Sequence, residues 1–577
     1  VEEFERLSEE IEEEVKKVEK ETKTLDPEMS QEKFIRLMEK LEKLTEDLSR
    51  LGHLPGLMEA VDQKNTKAKL LKAKASDIGV EVGSKLRRIY HWLKGKEIKG
   101  SRVLDEVNAK RLFKGVKDLT YSLNYTRKGA KFTLSEEIED VIANKDKNGI
   151  NPLVDLREIL ETEMEFRVNI RGKRKLIKSQ AELMKQVYSP RAEIREANYR
   201  ALLGEYQSHK DKLFLIYQGV VKDWGYETKL RGYSKPISMR NFANQVSDES
   251  VERLLEVCRQ NRDIFGRYFK YKAKLLGQKK IKRFDIYAPV ENSETKIGFD
   301  KAKRMIDEAF EGFSPNFAAK ARQIFEVGHI DSHPRPNKSN GAFCATVGPN
   351  IVPYILLNYT DTGKSMLTLA HELGHGVHSL YANQHSISSQ RAVLPLAETA
   401  STLGELLVFE KNYQETQDKA SKRAMLNDKL ADAFATILRQ NYFVLFEIEA
   451  HRAIAKGATI NDLSQIYGEL LTEQLGEAVE IDPIFNDEWL YISHLVRSPF
   501  YCYAYNFGEL LSYALVNKLH QNKEIGVKTI EMILTAGGSD SPKAILKKAG
   551  VEIESKEFWQ GSFEIIRQWQ DELEKLG

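Results

Sequence analysis

His371-Glu372-Leu373-Gly374-His375 sets two imidazoles four residues apart, with a carboxylate beside the first. On a helix, side chains at i and i+4 leave the same face one turn apart, close enough to share one metal ion. Such a histidine pair suits zinc. The adjacent carboxylate is placed to accept a proton from a metal-bound water, which is the chemistry of a zinc peptidase. The surrounding segment reads as a helix: Thr362 or Ser365 can cap its start, and Met366, Leu367, Leu369, Ala370, Leu373, Val377 and Leu380 make it largely apolar. A helix buried around most of its girth must satisfy two histidines and a glutamate inside the protein, and a metal does so. His378 continues the histidine face. The metzincin spacing, however, requires glycine at position 378 and histidine at 381, where this chain has His378 and Tyr381.

A catalytic zinc that keeps one position open needs a third protein ligand. Leu394-Pro395-Leu396-Ala397-Glu398 opens a helical pattern that also carries Glu405, seven residues on. The two glutamates share a face but sit two turns apart, so one reaches the metal and the other suits a hydrogen bond to a ligating histidine. Spacing alone does not choose between them. Farther along, His494-Leu495-Val496-Arg497-Ser498-Pro499-Phe500-Tyr501-Cys502-Tyr503-Ala504-Tyr505 sets three tyrosines at alternate positions near a histidine and an arginine. Their hydroxyls are candidate donors to a developing oxyanion. Gly341 to Val347, a Gly348-Pro349-Asn350 turn, and Ile351 to Tyr359 read as a β-hairpin feeding into the metal helix. An extended peptide can add as a strand to such an edge, and Gly341 and Ala342 would let its backbone come close. His329 and His333 lie near Pro334 and Pro336 in a loop pattern and are left out of the ligand set.

The elements that position these residues are mostly helical. Residues 1 to about 125 carry Leu, Ile and Val at three- and four-residue spacing, with a turn expected at Leu51-Gly52 and Pro55-Gly56. This reads as antiparallel helical hairpins, with a coiled-coil module as the alternative. Helices continue from 126 to 285, with breaks at Asn144 to Gly149 and at Gly232 to Pro236. Phe284 to Val290 reads as extended, residues 300 to 326 as one helix, and the chain beyond 396 as helical to Gly577. At 577 residues, two or more subdomains are expected. Lys+Arg of 88 against Asp+Glu of 86 leaves a net charge of +2, which argues against a uniform basic field for nucleic acid. No apolar run reaches the roughly 18 residues of a membrane span. Cys258, Cys344 and Cys502 form no C-x-x-C pair, which fits a reducing compartment. The charged segment at Val1 has no secretory core, and a leader removed before it is left open. The expected location is the cytoplasm.

HELGHGVH followed by ETAST, with GAFC and PYILLN upstream and a late histidine and tyrosine-rich segment, resembles the oligoendopeptidase F branch of the thimet-oligopeptidase-like family of zinc metallopeptidases. The resemblance covers most of the chain and is most specific between residues 285 and 510. It implies a mainly α, helical two-part metallopeptidase with a deep central cleft and one small β-sheet beside the zinc helix. Residues 1–190 would wall the cleft, and residues 191–577 would form the catalytic region. It further implies one zinc per chain held by His371, His375 and Glu398, with Glu372 as general base. His494, Tyr501 and Tyr505 would act at the reacting centre, with Tyr503 in reserve. The aspartate found four residues after the third ligand in thermolysin-type sites is replaced by Thr402, so Glu405 is the residue left to orient a histidine. The glycine-rich loop of the larger family members is replaced by Arg497-Ser498-Pro499. The expected activity is hydrolysis of internal bonds in short peptides, with no nucleic-acid or membrane partner and the oligomeric state left open. A zinc carboxypeptidase or dipeptidase, with Arg497 holding a substrate terminus, is one alternative. A non-catalytic helical scaffold with a structural metal is the other.

Overall fold

Phe4, Leu7, Ile11, Val15 and Val18 recur every three or four residues and bury one stripe of the helix Glu2–Thr22. That stripe packs on the helices Gln31–Val61 and Thr66–Leu93, whose Phe34, Leu37, Leu41, Leu44, Leu86, Ile89 and Trp92 complete a shared apolar core. The computed structural model describes residues 2–291 and 296–577, and 73% of it is helical. The mainly α expectation therefore holds. Among the described residues, no helix is long and apolar enough to cross a membrane.

Internal contacts divide the chain into two units. One comprises Val1–Lys131, Glu294–Asn412 and Lys518–Val551; the other comprises Phe132–Ser293, Tyr413–Asn517 and Glu552–Gly577. Each is assembled from three separate stretches, so this division follows a different line from the sequence boundary at residue 190.

Several local expectations are corrected. The turn expected at Leu51 to Gly56 lies inside the helix Gln31–Val61. Helix-interior glycine and proline cost about 1 and 3 kcal/mol respectively relative to alanine, but burial of Leu44, Leu51, Pro55 and Ala60 on either side keeps the helix continuous. The single helix expected over 300 to 326 is two, Phe299–Phe313 and Pro315–Glu326. Pro315 forces the preceding Ser314 into an extended conformation (φ −154°), and Ser314 then caps the second helix. Phe284 to Val290 is not a strand. Arg283–Asp285 is a 3-10 turn, held by Asp285 Oδ1 accepting from Arg195 Nη2 at 2.8 Å and by a buried Arg283–Glu488 pair. The region from 126 to 285, expected to be helical, also contains an antiparallel hairpin, Phe166–Ile170 with Lys173–Ile177. Beyond residue 396, Val479–Glu480 pairs in parallel with Ile281–Lys282, and Pro483–Tyr491 is a 3-10 run. The sheet beside the metal helix is thus one of three small sheets among the described residues. In that sheet Tyr354–Leu356 is central, with Ile330–Asp331 parallel on one side and Phe343–Ala345 antiparallel on the other.

Candidate active site

The histidine helix spans Gly363–Tyr381 and is capped by Thr362, whose hydroxyl accepts the Ser365 N–H at 3.1 Å. The helix Leu394–Glu415 crosses it with backbones almost touching. A Cβ placed on Gly374 would lie 2.3 Å from the Ala400 carbonyl oxygen, and one on Gly404 would lie 2.7 Å from that of Ala370. Only glycine allows this approach, and the approach carries Glu398 up to the two histidines. Gly374 occupies a variable position of the H-E-x-x-H pattern, so its packing role was not visible in the motif.

One carboxylate oxygen of Glu398 lies 3.5 Å from His371 Nε2 and 3.6 Å from His375 Nε2. Zinc bonds of about 2.0–2.2 Å at tetrahedral angles require donor separations of about 3.3–3.6 Å, so both of these separations fit the ion. Glu405 lies on the far side of the ring: its Oε1 accepts from His371 Nδ1 at 2.5 Å. Of the two glutamates that spacing left open, Glu398 is the one grouped with the two histidines, and Glu405 lies behind His371. Ser401, which sequence reasoning passed over, donates to the Glu398 Oε2 at 3.0 Å and fixes that carboxylate. The signal was a serine three residues along the same helix. His378 is buried on this face but falls outside the triad, and burial together with His375 pushes its imidazole down to about 4. His329 and His333 are also outside it, engaged with the Val352 carbonyl and the Ser332 hydroxyl.

The charges of the cluster are tightly linked. Burial opposes the His371 imidazolium, but the hydrogen bond and charge of Glu405, with Glu372 and Glu398 behind, raise it to about 9. Glu372 is almost fully buried. Desolvation raises its carboxyl to about 7, with His371 opposing and Glu398 and Glu405 assisting. Burial lowers His375, which favours a neutral ring. Three carboxylates around two imidazoles leave excess negative charge that a divalent cation neutralises.

A cavity of about 1060 Å³ opens over this cluster. One wall is the edge strand Phe343–Ala345 with Ala342, and another is the face of Gln31–Val61 that carries Ser49, Gly52, His53 and Gly56. Ser49 ties the two walls by donating to the Val347 carbonyl at 2.6 Å. Gly341 precedes the wall in a left-handed conformation (φ +84°), its carbonyl accepting from Asn358 Nδ2 at 2.9 Å.

The late histidine and tyrosines lie in the second unit. His494 begins the short helix His494–Arg497, and Tyr501 and Tyr505 flank the start of Tyr503–Gln521. The Tyr505 hydroxyl is 3.4 Å from His494 Nε2, and the Tyr501 and Tyr505 rings are 5.3 Å apart. Burial and then Arg497 lower His494, keeping it a neutral hydrogen-bonding group. Tyr503 is separate: it is fully buried, and its hydroxyl accepts from Asn244 Nδ2 at 2.8 Å. Arg497 pairs with Glu158 at 3.1 Å.

The sequence pattern of Peptidase family M3 matches residues 185–565. An oligoendopeptidase F homolog from Lactococcus lactis subsp. lactis is 26% identical over 561 residues, covering 95% of this chain and 90% of that protein. Another, from Borreliella burgdorferi, is 25% identical over 561 residues, covering 95% and 92%. The crystal structure of oligoendopeptidase-F from Enterococcus faecium matches with a TM-score of 0.74 at 22% identity, covering all of this chain and 99% of that one, a likeness of fold. The resemblance read from HELGHGVH and ETAST is borne out.

Proposed function

The chain belongs to peptidase family M3 and is a metalloendopeptidase, and we propose that it hydrolyses internal bonds of short oligopeptides with one zinc ion held by His371, His375 and Glu398. The observation that carries this reading is the donor triad, with Glu398 at separations that suit tetrahedral zinc from both histidine nitrogens, beside the buried Glu372. Zinc bound there supplies a Lewis acid and an acidified water. Glu372 accepts the proton of the attacking water and delivers it to the departing nitrogen, for which a carboxyl raised above the ordinary range is suited. Glu405 fixes the tautomer of His371 by taking its Nδ1 proton in a hydrogen bond, which leaves Nε2 free to ligate. The edge strand Phe343–Ala345, entered through Gly341 and Ala342, offers backbone partners to an extended peptide without regard to its sequence. His494, Tyr501 and Tyr505 are the groups we assign to the oxyanion and the leaving group. The names of the Lactococcus and Borreliella relatives support oligopeptides as substrates, and three free thiols support a reducing, cytoplasmic setting.

The test is a peptide of about ten residues, acetylated and amidated at its ends, compared with its free form by mass spectrometry of the products. Both are expected to be cut at the same internal bond, to resist cutting after chelation, and to be cut again when zinc is restored. Cleavage of the free form alone would favour the carboxypeptidase or dipeptidase reading. A second expectation concerns Glu405. At pH 9, Glu405→Leu lowers zinc affinity about 10–100-fold in a competitive chelator titration, because His371 loses the group that orients it. Unchanged affinity would remove Glu405 from the site.

A further inference from the structure

A single peptide plane in the second unit is gripped at both of its polar ends. The N–H of Phe500 donates to Glu447 Oε1 at 2.8 Å, and the carbonyl of Pro499 accepts from Arg240 Nε at 3.0 Å. These two groups belong to the same planar amide, so the two hydrogen bonds together fix its rotation. Phe500 consequently sits at φ +58°, a left-handed conformation that a bulky residue seldom adopts. Its ring is buried 4.6 Å from the His451 ring and 6.4 Å from that of Trp224. The Arg240 guanidinium in turn lies over Trp224 at 5.6 Å.

Glu447 is a costly residue to place there. It is fully buried, and its Oε2 has no hydrogen-bond partner. Burial raises its carboxyl to about 8, against the Phe500 N–H and the charge of Arg240. An apolar side chain would fill the same volume without that cost. What an apolar side chain cannot do is accept the Phe500 N–H. The next residue is Tyr501, whose N–H donates to the Ser498 carbonyl at 3.1 Å and whose carbonyl accepts from Ala504 N–H at 3.0 Å, starting the turn into Tyr503–Gln521. Without the clamp Phe500 is free to leave its left-handed conformation, and a change in its φ that neighbouring torsions do not offset turns the chain into Tyr501 away from His494 and Tyr505.

We propose that Glu447 and Arg240 are positioning residues that hold Phe500 in its left-handed conformation and thereby fix Tyr501 beside His494 and Tyr505. This rests on the assignment of Tyr501 above, so the experiment separates the two. Glu447→Leu, Glu447→Gln, Tyr501→Phe and the double variant Glu447→Leu/Tyr501→Phe are compared in the full-length zinc-loaded protein by kcat, KM, zinc content and melting temperature. Glu447→Leu is expected to lower kcat about 10²-fold, the scale of a misplaced catalytic group, with KM and zinc content little changed. Glu447→Gln keeps an acceptor oxygen and should retain most activity. In the Tyr501→Phe background, Glu447→Leu should cost little more, since both changes remove one interaction. Equal losses in both backgrounds, or no loss from Glu447→Leu, would overturn the proposal. If Tyr501→Phe is fully active, the assignment of Tyr501 fails and the positioning role fails with it. Should Glu447→Leu not fold, Arg240→Leu removes the other end of the clamp and carries the same expectations.

Discussion

Glutamine in place of Glu372 is expected to lower kcat by about 10²–10⁴-fold while leaving the bound zinc in place. The exchange preserves shape and removes only the ability to take a proton. Glu372 is not in the donor triad, so metal content should not follow activity down. The burial that raises the Glu372 carboxyl also sets its expected pH behaviour. In the metal-free chain, desolvation lifts its carboxyl from 4.5 to about 7, with His371 opposing and the charges of Glu398 and Glu405 assisting. A base must be unprotonated to act, so activity falls as pH drops through its pKa. The positive charge of zinc pulls that value down again. The acidic limb of kcat/KM should therefore lie between the ordinary carboxylate value and about 7. Stopped assays of kcat and KM across this range, with zinc measured by atomic emission, check both statements. A glutamine variant of near-native kcat would remove Glu372 from the chemistry.

What could be read from the chain was whatever local spacing encodes. HELGH, the Thr362 cap and the apolar run after it specify a buried metal helix, because helix periodicity and capping are properties of neighbours in sequence. The choice between Glu398 and Glu405 was not legible in the spacing and came only from the family resemblance, since residues seven apart differ only by their height on one face. What brings Glu398 to the two histidines is Gly374 against Ala400 and Gly404 against Ala370, contacts between helices that a single-helix pattern does not contain. The same limit explains Leu51 to Gly56, where glycine and proline signal a turn locally but packing of Gln31–Val61 overrides them. The hairpin Phe166–Ile177 escaped notice because Arg171-Gly172 is a less common turn pair than Asn-Gly. In the tyrosine segment the alternating pattern marked three candidates. Only tertiary partners separate Tyr503, held by Asn244, from Tyr501 and Tyr505 beside His494.

Glu398→Ala is expected to abolish activity by emptying the site, with a loss of zinc affinity exceeding the roughly 10–100-fold assigned to the outer contact of Glu405. It removes a carboxylate oxygen that lies within 3.6 Å of Nε2 of both His371 and His375, and among the described residues no other carboxylate joins that triad. The reference for that measurement depends on pH, because zinc must displace a proton. His371 in the metal-free chain is raised to about 9 by Glu405 and its neighbours despite burial, whereas Glu372 titrates near 7. Between those values His371 is the group that must lose its proton to ligate, so zinc affinity should rise about tenfold per pH unit up to about 9 and then level off. Without Glu405 the elevation of His371 loses its main source. The Glu405→Leu variant should then bind zinc with little pH dependence in this window. The deficit of that variant, clear at pH 9, should therefore shrink towards pH 7, where the native chain still has to shed the proton that Glu405 stabilises. Chelator competition at half-unit steps reads both slopes. Parallel slopes for the native chain and Glu405→Leu would mean that Glu405 does not control the proton on His371, whatever its distance from the ring.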